Sequence, residues 1–154
     1  MDYINKDLLF KIKKVLRYFK LFGVRRTIVK VKGQYHMKKT YKKLPKLTQT
    51  KNNESHVGLI GCGNFAYSNI AYYLKKNYGY VIRGAMDTNI NRAASIFETY
   101  GLCYFTDDPA KIINDSKIDL IYISSNHSTH AEYAIDALKA GKCVQIEKPH
   151  VVNS

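Results

Sequence analysis

From His56 to Lys148, short apolar runs alternate with helix-length amphipathic stretches, and this alternation restricts the fold more than any other feature of the sequence. A parallel strand needs a crossover of a dozen or more residues, usually a helix, to reach its neighbour, so a repeated strand-and-helix spacing dictates successive βαβ units. The runs predict strands over 56–60, 80–86, 102–105, 119–123 and 143–147, with helices over 64–77, 89–100, 108–115 and 128–140. The fold class that follows is α/β, a doubly wound parallel sheet. With 154 residues the chain has room for one such core and an appendage, not for two full domains.

The appendage precedes the sheet. Residues 1–50 hold 15 Lys or Arg against two acids, Asp2 and Asp7, whereas residues 51–154 hold ten of each sign, so the whole net charge of +13 lies in the first third. Between Ile4 and Phe22, Leu8, Ile12, Val15, Leu16, Phe19 and Phe22 recur at helical spacing, with Lys11, Lys13, Lys14, Arg17 and Lys20 around them: a basic amphipathic helix. Gly23 reads as its stop, and Thr27–Val31 as a short strand or a second helical stretch. Residues 48–55 are polar and read as a linker, which divides the chain into a basic arm (1–47), the linker (48–55) and the α/β domain (56–154).

A basic helix with an apolar face suits the surface of an anionic membrane, and the competing reading is a helix packed on the domain. Nucleic acid is the weaker partner, because the basic charge belongs to an arm on a neutral domain. No apolar run approaches the ~18–20 residues needed to span a bilayer, and the N-terminus lacks a signal-peptide pattern, so a cytoplasmic protein, peripheral at most to the membrane, is expected. Cys62, Cys103 and Cys143 are odd in number and far apart, without the close pairs of zinc or redox motifs; they read as small apolar fillers, and no metal is expected.

The chemistry starts where the first strand runs into Gly61-Cys62-Gly63-Asn64-Phe65-Ala66, a G-x-G-x-x-A loop opening a helix. Gly61 permits the tight turn, Gly63 lets the backbone approach a pyrophosphate, Ala66 allows helix and strand to pack closely, and the helix N-terminus, with Asn64 and Phe65 in its first turn, faces the phosphates. Glycine turns of this kind also arise for structural reasons alone. The second strand ends at Asp87, 21 positions beyond Ala66, where an acid accepts hydrogen bonds from the adenosine ribose hydroxyls; Asp87 reads equally as a cap for the helix near Asn89. No Gly-Lys-Ser/Thr is present to cradle a triphosphate, and no acid leads into Gly61 as in many methyl-transfer enzymes, which leaves a dinucleotide. NAD is expected, with NADP the alternative because Arg92 is placed to reach a 2′-phosphate. Tyr72 and Lys76 have the Tyr-x-x-x-Lys spacing of another dehydrogenase group, but lie on the first helix and read as a solvated face.

Two later segments are more specific: Asp119-Leu120-Ile121-Tyr122-Ile123-Ser124-Ser125-Asn126-His127-Ser128-Thr129-His130, and Val144-Gln145-Ile146-Glu147-Lys148-Pro149. With the glycine loop and Asp87 they resemble the N-terminal Rossmann domain of the Gfo/Idh/MocA oxidoreductases over about residues 56–154. The resemblance implies NAD(P)-dependent hydride transfer on sugars, cyclitols or nucleotide-linked sugars, and roles in sugar metabolism or polysaccharide biosynthesis. It places Ser125 and Asn126 near the nicotinamide, where the family commonly has Thr-Pro-Asn and this chain has Ser125-Asn126-His127. His130 matches a family histidine, with a satisfied histidine at a helix start as its alternative. Lys148 inherits the expectation of orienting or protonating the substrate, a task suited to a partly desolvated lysine at the carboxyl end of a strand. Glu147 is expected to position the lysine and the nicotinamide ribose, and Pro149 to fix the chain direction through a cis bond.

Family members continue past this point with a further helix and strand and an open-faced sheet domain that supplies substrate contacts. The chain is therefore expected to be incomplete, binding a sugar or nucleotide-sugar only if a second domain is supplied, and to expose Val144 and Ile146 on an unpaired strand edge that favours homo-oligomers. The alternative is a non-catalytic module that binds a nucleotide, or docks on a membrane or protein through its arm.

Overall fold

A computed structural model of the chain describes residues 7–47 and 54–149. Five parallel strands, β1 (Val57–Ile60), β2 (Ile82–Met86), β3 (Tyr104–Thr106), β4 (Leu120–Ile123) and β5 (Cys143–Ile146), form one sheet in the order β3-β2-β1-β4-β5. The chain thus leaves β1 in one direction to β2 and β3, then returns to the other side for β4 and β5. The reversal places a crevice at the carboxyl ends of β1 and β4, where open parallel sheets bind ligands. β1 is the central strand and all four of its residues are buried, as expected for a strand covered on both faces.

An α-helix lies over each crossover. After β1 the chain makes a π-helical turn (Ala66–Ala71) that continues into α2 (Tyr72–Tyr78); α3 (Ile90–Tyr100) follows β2, α4 (Pro109–Ile113) follows β3, and α5 (His130–Lys139) follows β4 by way of a 3₁₀ turn at His127–Thr129. Two apolar clusters cover the two faces of the sheet. Leu59, Ala85, Tyr67, Ile70, Ile96 and Phe97 pack on the α2/α3 side, and Ile60, Ile121, Ile123, Ile112, Ile118 and Ala137 on the α4/α5 side. Among the described residues β5 is an edge strand, paired only with β4. Val144 and Ile146 are half-buried against the second cluster, while Ile135 and Leu138 of α5 are exposed beside that edge.

The strands and helices of the α/β region fall within three residues of their predicted positions. The arm differs. One helical element, α1 (Leu8–His36), runs through Thr27–Val31, so the second helical stretch is realised and the strand is not. Gly23 does not end the helix but breaks it: its φ of 77° and ψ of 175° are helical in neither direction, and Thr27 Oγ1 donates to the Gly23 carbonyl at 2.8 Å just after the break. The expected start at Ile4 and most of the linker (48–53) lie outside the described residues.

The two halves of α1 behave differently. In the first half the side chains of Leu8, Leu9, Ile12, Leu16, Phe19, Leu21 and Phe22 are all exposed; Leu9 and Leu21 lie off the predicted face, so the apolar surface is broader than one stripe. The second half is docked. Gly33 is buried where a Cβ would come within 2.5 Å of Asn64 Oδ1 and 3.2 Å of Ser68 Cβ. The Arg26 guanidinium, two helical turns earlier, lies over the rings of Tyr72 and Tyr73 and donates to the Ser68 carbonyl and Asn69 Oδ1. Tyr72 therefore serves arm docking and is not part of a solvated face. The chain then crosses α3, with the Tyr41 backbone N–H on Asn91 Oδ1 (2.9 Å) and Lys39 and Tyr41 both on Glu98.

Candidate dinucleotide site

The glycine loop is fixed from both sides by the strand ends it joins. Gly61 has a φ of +90°; its N–H donates to the Met86 carbonyl at the end of β2, and its carbonyl accepts from Ser124 Oγ beyond β4 at 2.9 Å. A Cβ at Gly61 would lie 2.4 Å from the Ser125 nitrogen and 2.5 Å from the Ser124 carbonyl carbon, both backbone atoms that cannot swing away. Only glycine lets β1 and β4 close together there. Gly63 is the opposite case: a Cβ would meet nothing within 4 Å, so the backbone faces open space at the start of the helix, where partial positive charge accumulates.

Asp87 is buried, and its carboxylate joins β2 to this loop. Oδ2 accepts from the Cys62 N–H at 2.7 Å and Oδ1 from the Asn89 N–H at 2.8 Å. The cap of α3 is Asn89, whose side chain accepts from the Asn91 N–H, so Asp87 acts one turn ahead of the helix and does not cap it. Each carboxylate oxygen retains a lone pair. Arg92 Nη1 stands 4.0 Å from Asp87 Oδ1, and its Nε is buried without a partner among the described residues. Cys62 is fully buried with its thiol on the Met86 carbonyl, and burial pushes that thiol up from its ordinary value; it is a filler of the loop, whereas Cys143 is exposed. Among the described residues no His, Cys, Asp or Glu cluster could hold a metal.

At the other end of the crevice, the residues after β4 bond mainly to one another. Ser125 Oγ lies 2.8 Å from Thr129 Oγ1, and Asn126 Oδ1 accepts from the Ser128 N–H, capping the 3₁₀ turn. His130 is fully buried with Nδ1 2.9 Å from the Pro149 carbonyl and Nε2 3.2 Å from the Ser125 carbonyl, so it braces the β4 and β5 loops against each other. The Lys148–Pro149 bond is cis. The Glu147 N–H extends the parallel pairing to the Ile123 carbonyl at 3.0 Å, which carries Glu147 and Lys148 to the carboxyl end of the sheet. Lys148 itself is exposed, so the desolvation expected of it is not supplied by the described residues.

Asp87 and Arg92 thus lie on the β2 side of the glycine loop and Ser125 lies against Gly61 on its β4 side, with Asn126 next in the chain and Glu147 and Lys148 just past the end of β5. The arm residue His36 also reaches the glycine loop: its Nε2 lies 2.7 Å from the Cys62 carbonyl and its ring stacks on Tyr67 at 4.4 Å. Sequence reasoning missed it because a histidine in a basic, aperiodic stretch carries no signal of its own.

Sheet order, glycine loop and acid at the end of β2 define a nucleotide-binding α/β domain. The chain matches the GFO_IDH_MocA family model, described as oxidoreductase family, NAD-binding Rossmann fold, over residues 55–154, and it belongs to that family. It is 33% identical over 99 residues to an oxidoreductase of Formosa agariphila (63% of this chain, 30% of the relative) and 29% identical over 99 residues to inositol 2-dehydrogenase 2 of Saccharopolyspora erythraea (64% and 29%). Among solved structures it superposes on KijD10, a 3-ketoreductase from Actinomadura kijaniata in complex with NADP and TDP-benzene, with a TM-score of 0.59 and 27% identity over 64% of this chain and 30% of that one. The chain spans about three-tenths of the length of the curated relatives it matches.

Proposed function

We propose that this chain binds NAD across the carboxyl ends of β1, β2 and β4 and serves an oxidation or reduction at a secondary alcohol of a sugar, cyclitol or nucleotide-linked sugar. The observation that carries the reading is the loop itself: Gly63 opens onto free space at a helix start while the Asp87 carboxylate, anchored on Cys62, stands beside it. The residues fit the group. The loop amides take the pyrophosphate, Asp87 the adenosine ribose, and Ser125, Asn126 and Glu147 the nicotinamide end. NAD supplies a hydride acceptor, or in reduced form a donor, beside Lys148. Lys148 then orients the substrate hydroxyl and holds the proton that its oxygen loses or gains. The names of the relatives favour polyol and sugar substrates, and the division into an arm (1–47), a linker (48–55) and a domain (56–154) belongs to the same reading.

Calorimetric titration tests it: the native chain gives a one-to-one isotherm with NAD, and no heat and no thermal shift would refute it. Positioning of the reacting carbon contributes ~7–11 kcal/mol to such reactions, and Lys148 is exposed among the described residues. Residues 1–154 alone therefore bind cofactor without turning over sugars; turnover that is lost in Lys148→Ala would contradict that part of the reading while supporting the site.

A second reading is added by the first half of α1, whose exposed Leu8, Leu9, Ile12, Leu16 and Phe19 lie among Lys11, Lys13, Lys14, Arg17 and Lys20. This surface suits the interface of an anionic membrane. The full chain floats with phosphatidylserine vesicles and not with neutral ones, and Leu9→Glu with Leu16→Glu abolishes flotation. Equal behaviour of native chain and variant refutes it, and steeply salt-dependent binding to nucleic acid without flotation identifies the other polyanion.

A further inference from the structure

The docked half of the arm ends on the glycine loop, and its last buried residue carries a polar atom without a partner among the described residues. His36 is 3% exposed, stacked on Tyr67 and held by Gly33, which has no room for a side chain against Asn64 and Ser68. Its Nε2 faces the Cys62 carbonyl at 2.7 Å. A carbonyl only accepts, so Nε2 carries the proton, and in the neutral ring Nδ1 is then a lone-pair acceptor. Burial pushes His36 below its ordinary value, which keeps it neutral near pH 7; the Cys62 bond opposes this, Arg92 and Lys39 assist it, and Asp87 opposes it. Nδ1 is buried with no partner among the described residues. An orphaned buried acceptor is uncommon, because it forfeits its hydration without replacement.

The position of the orphan matters as much as its chemistry. One residue, Cys62, donates its N–H to Asp87 and offers its carbonyl to His36, so the carboxylate and the imidazole bond to two successive peptides of the glycine loop. Arg92, with its own orphaned Nε, lies within electrostatic reach of both groups. Two acceptors, Asp87 and Nδ1, and one donor, Arg92 Nε, therefore belong to three side chains that feel one another's charge beside the glycine loop. A pair of neighbouring hydroxyls matches this set, because each hydroxyl can donate to an acceptor while its oxygen accepts from the arginine. A phosphate ester offers acceptors only and would meet the carboxylate and the lone pair unfavourably.

We propose that the arm forms part of the dinucleotide site, with His36 Nδ1 accepting a hydrogen bond from an adenosine ribose hydroxyl and so helping to select NAD over NADP. This rests on the dinucleotide reading above, to which it adds a specificity residue contributed from outside the α/β core.

The test is a cycle of variant against ligand in calorimetry, using the full chain, NAD, and the analogues of NAD lacking the adenosine 2′- or 3′-hydroxyl. In the native chain, losing the hydroxyl that His36 receives weakens binding roughly two- to twelvefold, the range of one net hydrogen bond. His36→Phe keeps the stack on Tyr67 but has no acceptor, so NAD weakens while the analogue does not, and the penalty for the missing hydroxyl disappears. If His36→Phe weakens NAD and both analogues equally, the residue only supports the loop; the proposal falls and the dinucleotide reading stands. If the native chain binds no NAD, both fall. Gly33→Val is a second probe that does not touch His36: forcing the arm off Asn64 and Ser68 lowers NAD affinity if the arm contributes to the site. A rise in affinity would make the arm a competitor for the crevice and overturn the proposal.

Discussion

Replacing each of the two loop glycines by alanine separates folding from binding. At Gly61 the added methyl meets two penalties. A φ of +90° costs an L-residue roughly 1–2 kcal/mol. The methyl would also sit 2.4 Å from the Ser125 nitrogen, where β1 and β4 are stitched by the Ser124 N–H on the Ile60 carbonyl and Ser124 Oγ on the Gly61 carbonyl. Relieving such an overlap costs about 1–3 kcal/mol. Gly61→Ala should thus lose about 2–5 kcal/mol, a large share of the ~5–15 kcal/mol that holds a domain together. At ~1–3 kcal/mol per molar urea the midpoint drops by roughly 1–2 M or more. Gly63→Ala meets no atom within 4 Å, so its stability should stay within about 0.5 kcal/mol of native. Its methyl instead occupies the space kept for the pyrophosphate, and the same ~1–3 kcal/mol of overlap becomes a loss of NAD affinity of roughly five- to 150-fold. Urea denaturation and calorimetry on both variants read the two effects. An unchanged midpoint for Gly61→Ala, or a Gly63→Ala that unfolds more easily yet binds NAD as well as native, would refute the reasoning.

Two further outcomes follow from buried charge and titration. Asp115 accepts from Arg83 Nε at 2.7 Å, the Lys117 N–H and the Tyr104 hydroxyl, with the two paired side chains only 19% and 14% exposed; Asp115→Ala should cost about 2–4 kcal/mol in denaturant unfolding, slightly below the range for a fully buried pair. Burial alone would raise the Asp115 carboxyl, but the Lys117 N–H, Arg83 and Tyr104 outweigh it and hold it below 3.8, so this stability is complete above that pH and is lost as pH falls through the folded value; the variant lacks that acid limb. His36 is held below 6.5, so the unfolded chain takes up its proton first: stability is complete above pH about 6.5 and declines below it, and His36→Phe removes that slope. A native pH profile flat from 7 to 5 would contradict the burial of His36.

The sheet was legible because its inner strands β1 and β2 are covered on both faces, and strands of such a sheet appear as unbroken apolar runs such as Val57–Ile60 and Leu120–Ile123. The loop was legible because Gly61 and Asp87 are forced by geometry: one by the close approach of β4, the other by its bond to Cys62. The π turn at Ala66–Ala71 was not, since Ala66, Ile70 and Ala71 fit an ordinary α-helical face equally well. That the arm packs on the domain was one of its two readings; the residues that dock it were hidden for a different reason. The contacts are made by Arg26, Gly33 and His36, two polar residues and one without a side chain, and a pattern search weighted toward apolar spacing passes over them. The exposure of Lys148 was equally invisible, because a strand-end position in the sequence does not state what covers it.

The central claim, that the loop and Asp87 bind NAD, is tested most directly by titrating the native chain and Asp87→Ala with NAD and NADP in a calorimeter. The native chain should bind NAD more tightly than NADP, because the carboxylate accepts from ribose hydroxyls and repels a 2′-phosphate, and Asp87→Ala should weaken NAD and shrink or reverse the preference. Equal or tighter binding of NADP by the native chain, unaltered in Asp87→Ala, would contradict the account.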